Sequence, residues 1–237
     1  MKVILEKIIQ LRNPNFILHK DVNTVILISF AWQTFWSLMR GFSLLFYLKN
    51  PKMAMLGRAV TFFNSPKIHF GKYLKLGNHV HLSALATDGI YIGDNVGIGA
   101  YSRLVVSTSL DHPGTFIKIG DHVGIGEFAY LGGAGGLQIG DECIIGQYFS
   151  CHPENHLSDD LNKSIRHQGV KRNGIKIGKN CWIGAKVTIL DGVEIGDGCI
   201  IAAGAVVHSS FPNNSVIGGV PARLLKQRID LLRSSER

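Results

Sequence analysis

Three histidines, His152, His156 and His167, share one polar, charged stretch, GQYFSCHPENHLSDDLNKSIRHQGVKRNG, covering residues 146–174. An imidazole titrating near pH 6.5 can take a proton from a weak nucleophile at neutral pH, so these histidines are candidates for a general base, although a loop histidine is more often simply solvated. A second set of charges lies at the end of the chain, where Arg223, Lys226, Arg228, Arg233 and Arg237 face only Asp230 and Glu236. That balance suits a phosphate-bearing ligand, an anionic lipid or nucleic acid. No helix-turn-helix, zinc-knuckle or RNA-binding-sheet pattern accompanies it, which sets nucleic acid aside as a partner.

These groups must be held by something regular, and the flanking sequence is strongly periodic. Isoleucine or valine returns every sixth residue at Ile177, Ile183, Ile189, Ile195, Ile201 and Val207. A helix repeats its buried face every 3.6 residues and a strand every 2, so a beat of six is a strand period interrupted by corners. A second row, Cys181, Val187, Val193, Cys199 and Ala205, precedes the first by two residues and faces the same interior. Gly178, Gly184 and Gly196 follow the large aliphatic residue, where a corner calls for positive φ. Upstream the beat recurs with changes of phase: Phe70, Leu76 and Leu82; Ile92, Ile98, Leu104 and Leu110; Ile119, Ile125, Leu131 and Leu137; Ile139 and Ile145. The expectation is an all-β solenoid with three short parallel strands per turn over residues 66–218, interrupted by the 146–174 loop. An excursion of that length from a regular coil is usually functional.

The 237 residues hold one such domain and two appendages, with 28 glycines for the corners and a net charge of +8. Cys181 and Cys199 lie one coil apart and stack at equivalent positions; the spacing allows a disulfide but favours buried free thiols, small apolar fillers fitting a reducing compartment. Residues 1–65 form an apolar, helical N-terminal region, and 219–237 a basic tail. Between residues 25 and 48 the chain reads VILISFAWQTFWSLMRGFSLLFYL, with no signal-peptide cleavage pattern after it. Three readings stand: a spanning helix, disfavoured by Arg40; a helix lying in a membrane surface, anchored by Trp32, Phe35, Trp36, Phe42 and Phe46 with Lys20, Arg40, Lys49 and Lys52 near headgroups; or a helix closing the open end of the solenoid.

The last part of the coil, IGKNCWIGAKVTILDGVEIGDGCIIAAGAVVHSSFPNNSVIGGVPARLLKQR, closely resembles the end of the hexapeptide-repeat acyltransferases, nearest to the maltose, galactoside and colanic-acid O-acetyltransferase group. The marks are Trp182 in N-x-W-I-G, the A-x-G-A-V-V run from Ala202 to Val207, and the closing G-G-V-P-A-R. Upstream, CHPENHLSDD is similar to the family's histidine segment. The resemblance implies a left-handed parallel β-helix with a short C-terminal helix, assembled as a homotrimer with active sites between subunits. It also implies acetyl transfer from acetyl-coenzyme A without a metal. On the family's spacing it assigns the base to His156, leaving His152 as the rival, with Glu127, Asp141, Glu154 and Asp159 as candidates to orient it. The pantetheine arm would lie along Trp182, Gly184, Ala202 and Ala203, with Lys186, Arg223, Lys226 and Arg228 toward the phosphates. Relatives in the galactoside group carry an asparagine one coil earlier; here the chain reads LGGAGG, Leu131 to Gly136, and the glycines leave room for a bulky acceptor.

The expected activity is therefore acetyl transfer to a sugar hydroxyl in surface-polysaccharide biosynthesis, in the cytoplasm and peripheral to the inner face of the membrane through residues 25–48. The alternatives are an N- or O-acetyltransferase of a soluble acceptor (a nucleotide amino sugar, a free sugar or an antibiotic) and a solenoid without catalysis. A zinc enzyme on the same scaffold would need converging ligands, and His79, His81, His112 and His122 lack the spacing, since Val80 in the apolar row turns its two neighbours outward.

Overall fold

In a computed structural model, which describes residues 6, 7, 9, 10 and 16–228, the large aliphatic rows become the lining of a three-sided coil. Successive strands visit three sheets in turn: Met55–Leu56, Thr61–Phe63 and Ile68–Phe70 make the first coil, and the order then repeats. The first sheet gathers nine strands, the second seven and the third six. Neighbours are parallel, and the inward residues stack in register, as in Ile125–Ile145–Ile183–Ile201. The coil begins at Met55, eleven residues or so before the boundary read from the aliphatic beat, because its first turn is lined by Leu56 and Ala54.

Both rows expected inside are buried, including Cys181, Cys199 and every member from Ile177 to Val207. Leu110 is the exception, 81% exposed on a loop. The third coil leaves the beat after Val105, and its inward residue on the next side is Ile117. Backbone N–H groups at the corner between the third and first sheets show how uneven the turns are. Each donates to the Oδ1 of an Asp or Asn one coil on: Lys72 to Asp94, Asp94 to Asp121, Asp121 to Asp141, Lys179 to Asp197 and Asp197 to Asn213. The steps are 22, 27, 20, 18 and 16 residues, so only the step from Lys179 to Asp197 is three full hexapeptides.

The corners also correct the reading of the glycines. Positive φ falls on other residues: on His79, Tyr101, Phe128, Tyr148, Lys186 and Gly204 between the first and second sheets, and on Tyr73, Asn95, His122, Glu142, Asn180 and Gly198 between the third and first. Gly178, Gly184 and Gly196 are required for close approach instead. A Cβ on Gly184 would stand 2.5 Å from the Ala203 nitrogen of the following coil, and one on Gly126 would stand 2.6 Å from that of Gln147. Since the obstacle is backbone shared by two coils, Gly126→Ala is expected to destabilise the fold by roughly 1–3 kcal/mol, the usual cost of overpacking. Chemical denaturation of the variant measures it, and an unchanged midpoint would show that the coils can part.

The two ends of the chain differ from expectation. Ala222–Gln227 folds back as an antiparallel strand on Ser215–Gly219 and closes the first sheet, so the tail expected from residue 219 opens as strand; residues 229–237, where the rest of the tail and any C-terminal helix would fall, lie outside the described set. At the other end a helix, Thr24–Gly41, continues as a 3₁₀ turn, Phe42–Tyr47, and packs on the first coil. Asn23 caps it by accepting the Ile26 N–H at 2.9 Å. Leu27 and Leu44 are buried, and Gly41 lies against the Ala54 carbonyl, where no side chain would fit. Arg40 is not free for a headgroup, since its Nε donates to the Leu56 carbonyl at 2.8 Å; Lys52 likewise donates to Phe70 O at 2.8 Å. No described helix is long and apolar enough to cross a membrane.

Candidate active site

Every irregular step of the coil falls at the corner between the second and third sheets. There the chain loops out at residues 106–113 in the third coil, runs through its glycines in the fourth, and makes the long excursion in the fifth. The excursion starts later than its sequence implies, because Ser150–His152 is a regular strand of the second sheet and Ile175–Ile177 resumes the third. Between them, Asn155–His156 pairs antiparallel with Val170–Lys171, so the histidine motif sits on a hairpin projecting from the coil.

The LGGAGG run is the seat of this hairpin. Gly135 N–H donates to Pro153 O at 3.0 Å, and Ile175 N–H donates to Gly136 O at 2.9 Å, so the start and end of the excursion both rest on it. Cβ atoms added at Gly132 and Gly135 would meet Pro153 Cδ at 2.9 Å and Pro153 O at 2.6 Å; one at Gly136 would meet the Phe116 ring at 2.9 Å. The space is thus taken by the protein's own chain rather than left for an acceptor. Asp191, one coil on, accepts from Asn173 and Gly174 N–H at 2.9 Å and fixes the returning limb.

Arg172 completes the attachment, and sequence reasoning did not single it out. Its Nε donates to Glu154 Oε2 at 2.6 Å across the hairpin, and Nη1 and Nη2 donate to Pro113 O at 3.2 Å and His112 O at 3.4 Å in the third-coil loop. A planar guanidinium with five donors suits three acceptors in different directions. That loop is itself ordered: Ser107 Oγ donates to His112 O at 3.0 Å, Ser109 Oγ to Asp111, and His112 Nε2 stands 3.8 Å from Asp111 Oδ2.

On this support the His156 side chain is exposed, and no described residue hydrogen-bonds its ring. Two of the four candidate orienting carboxylates are committed elsewhere. Glu154 is paired with Arg172; Asp141 holds the Asp121 N–H, which keeps its carboxyl below the usual range, and lies 3.3 Å from Lys179 Nζ. Glu127 belongs to the corner between the first and second sheets, away from the hairpin, while Asp159 follows His156 on the excursion itself. The rival His152 ends the regular strand and stacks on Tyr130, ring centroids 5.6 Å apart. Cys151 beside it is buried, and burial pushes its thiol well above the ordinary value, so it is no nucleophile. Val80 is buried between outward-facing His79 and His81, and His81 Nδ1 bonds Thr61 Oγ1 at 2.8 Å. Burial and the nearby Arg103 charge lower the His81 pKa.

The residues expected to hold the donor gather on a different side. Trp182 stands 58% exposed on the outer face of the first sheet, in a cross-strand row with Ile200, Val216 and Lys226. Lys186, Ala202 and Ala203 occupy the corner between the first and second sheets, where Ala203 lies against Gly184. Arg223 pairs with Gly218, next to Ile217, whose carbonyl accepts the Ala202 N–H at 2.8 Å, so its backbone lies beside the same corner. Arg228 does not join them: its Nη1 donates to Gly198 O at 2.7 Å, at the corner between the third and first sheets.

The comparisons agree with the coil. The bacterial transferase hexapeptide family (six repeats) matches residues 174–209. A probable acetyltransferase of Mycobacterium tuberculosis is 29% identical over 204 residues, covering 81% of this chain and 58% of its own length. A putative lipopolysaccharide biosynthesis O-acetyl transferase of Escherichia coli is 25% identical over 171 residues, covering 69% of this chain and 74% of its own. Among solved structures, an N-acyltransferase from Bacillus cereus, in complex with dTDP and coenzyme A, superposes with a TM-score of 0.56 at 22% identity, covering 76% of this chain and 91% of that one. The last likeness carries the fold alone. This chain therefore spans little more than half the length of the mycobacterial relative. It carries the hexapeptide transferase repeat and resembles the hexapeptide-repeat acyltransferases.

Proposed function

We propose that this hexapeptide-repeat chain transfers an acetyl group from acetyl-coenzyme A to a sugar hydroxyl during surface-polysaccharide assembly, as a homotrimer of left-handed β-helices. The observation that carries the reading is the His156 hairpin, bound down by Arg172, Asp191 and the glycine run while its ring is left exposed, with no hydrogen bond to any described residue. A base is useful in that state, held in place but free to meet a substrate proton. Support for the sugar acceptor comes from the Escherichia coli relative, a putative lipopolysaccharide biosynthesis O-acetyl transferase.

In this reading the His156 imidazole removes the proton from the acceptor hydroxyl as its oxygen attacks the thioester carbonyl. The tetrahedral oxyanion is met by backbone N–H groups, then collapses and expels the coenzyme A thiolate. The imidazolium returns the proton to that thiolate, leaving the acetyl ester, free coenzyme A and neutral histidine. Base and donor strip occupy different corners of the solenoid, on successive coils, which favours a site completed by a second subunit. Lys186, Arg223 and Lys226 meet the donor phosphates, while Trp182 and the small residues Gly184, Ala202 and Ala203 flank the pantetheine arm.

The test is release of free coenzyme A from acetyl-coenzyme A, with a panel of sugars, amino sugars and lipid-linked glycans. One hydroxyl acceptor should stimulate release, and Arg223→Ala with Lys226→Ala should raise the donor KM about tenfold at unchanged kcat, as for loss of roughly 1.4 kcal/mol of phosphate contact. Stimulation by an amine alone would move the reaction to N-acylation, and failure to bind the donor would remove the enzyme reading.

A further inference from the structure

The helix at the first coil is amphipathic in an unusual sense, because its outward side is the more aromatic one. Leu27, Arg40, Gly41 and Leu44 face the coil. Ile28, Trp32, Phe35, Trp36, Phe42 and Phe46 recur at helical spacing on the exposed side, Trp32 at 63% and Phe46 at 91% exposure. The rings form a cluster: Trp32 and Phe35 both meet Trp36 edge-on, with centroids 5.5 and 5.4 Å away. An exposed apolar stripe of this length on a soluble surface marks an interaction site.

The charge around it says which partner fits. Between Asp21 and Asp88 the chain has seven lysines and arginines and not one aspartate or glutamate; Arg40 and Lys52 are tied to main-chain carbonyls of the coil and add only to the net field, and Lys49, Arg58, Lys67, Lys72 and Lys75 make up the rest. Most of the net charge of +8 is therefore matched by the excess at this end, which comprises the helix and the first two coils. A second copy meeting it face to face would bring like charges together, whereas an anionic bilayer offers both opposite charge and an apolar layer beneath. Trp is suited to the headgroup boundary, and Phe to the apolar face of a helix lying in it.

We infer that this end docks on the surface of a bilayer containing anionic phospholipid, with Thr24–Gly41 and the following turn lying in the interface rather than crossing it. The inference stands on the helix and its charges, and deepens the transferase reading without depending on it. If both hold, the His156 hairpin in the fifth coil stands roughly 19 Å, four inter-strand spacings, beyond the docked first coil. A lipid-linked glycan would then be modified some way out from its lipid.

The experiment is co-sedimentation of the full chain with vesicles of phosphatidylcholine alone, or with about a third phosphatidylglycerol. Binding is expected to the anionic vesicles and to weaken as salt is raised. Trp32→Ser with Trp36→Ser should abolish it, and both side chains are exposed enough for the fold to tolerate the change. Lys49→Glu with Arg58→Glu should lower it at least about tenfold, since each basic residue near an anionic leaflet contributes roughly fivefold. Absence of binding by the unaltered chain, or equal binding by both variants, overturns the inference. So does a drop in solution mass on Trp32→Ser with Trp36→Ser without vesicles, which would assign the stripe to a second copy. Coenzyme A release from a soluble acceptor, measured on the same samples, separates failure of docking from failure of the transferase reading.

Discussion

Replacing His156 with alanine should reduce acceptor-dependent coenzyme A release by about 10²- to 10⁴-fold, the contribution ordinarily made by a positioned general base. The donor dissociation constant should stay within about twofold, because Trp182, Gly184, Lys186 and Arg223 lie on another side of the coil. The fold should survive, since His156 meets Val170 through the main chain and its side chain packs on nothing buried. Single-turnover kinetics beside titration of the donor would check both halves. His152→Ala is the control: a dead His152 variant beside a fully active His156 variant would move the base to the residue stacked on Tyr130 and leave the hairpin without a catalytic task.

The part of the fold that could be read in the sequence is the part in which one residue decides one inward position. From Ile177 to Val207 the steps are short enough that isoleucine and valine mark every side of the coil, and all of them are buried. Earlier coils carry steps of 22 and 27 residues with the extra length at corners, so a count by sixes drifts onto loops. Leu110 shows the effect: it kept the beat numerically but belongs to the loop that Arg172 touches. The C-terminal strand was missed for a related reason. ARLLKQ has strong helix formers, and its pairing with Ser215–Gly219 is a tertiary contact that local propensity does not register.

Glycine carried a different ambiguity. Gly178, Gly184 and Gly196 look the same whether a corner needs positive φ or close approach, and only the stacked coils distinguish the two. The left-handed corners are filled instead by large residues, whose rings stack along the solenoid: His79, Tyr101, Phe128 and Tyr148, with successive centroids 5.0–5.1 Å apart. Contact between equivalent positions offsets the backbone strain those residues bear. At the candidate site, the histidine motif stood out in the sequence because the proposed proton transfer calls for a particular residue type. Its support was not, because the bonds from Arg172 to the third-coil loop span 59 and 60 residues and end on carbonyl oxygens, which every residue has.

That support is where a second large effect is expected. Arg172→Met should lower kcat roughly tenfold to a hundredfold while leaving donor affinity unchanged, because a displacement of about 1 Å at a reacting group costs up to a hundredfold. The substitution keeps much of the aliphatic stem but removes all three acceptors' donor at once, and leaves Glu154 partly buried without its partner. Arg172→Lys should recover little, since an ammonium cannot serve Glu154 and two separate carbonyls in the fork's geometry. Glu154→Gln alone should be milder, and the double variant with Arg172→Met should lose less than the two single effects combined, as expected for groups sharing one bond. A structural role confined to stability would shift the denaturation midpoint and leave kcat intact in the folded fraction. A positioning role lowers kcat in fully folded protein and makes residues 153–174 more open to protease. Full kcat in Arg172→Met would mean that Asp191 and the glycine run hold the His156 hairpin unaided.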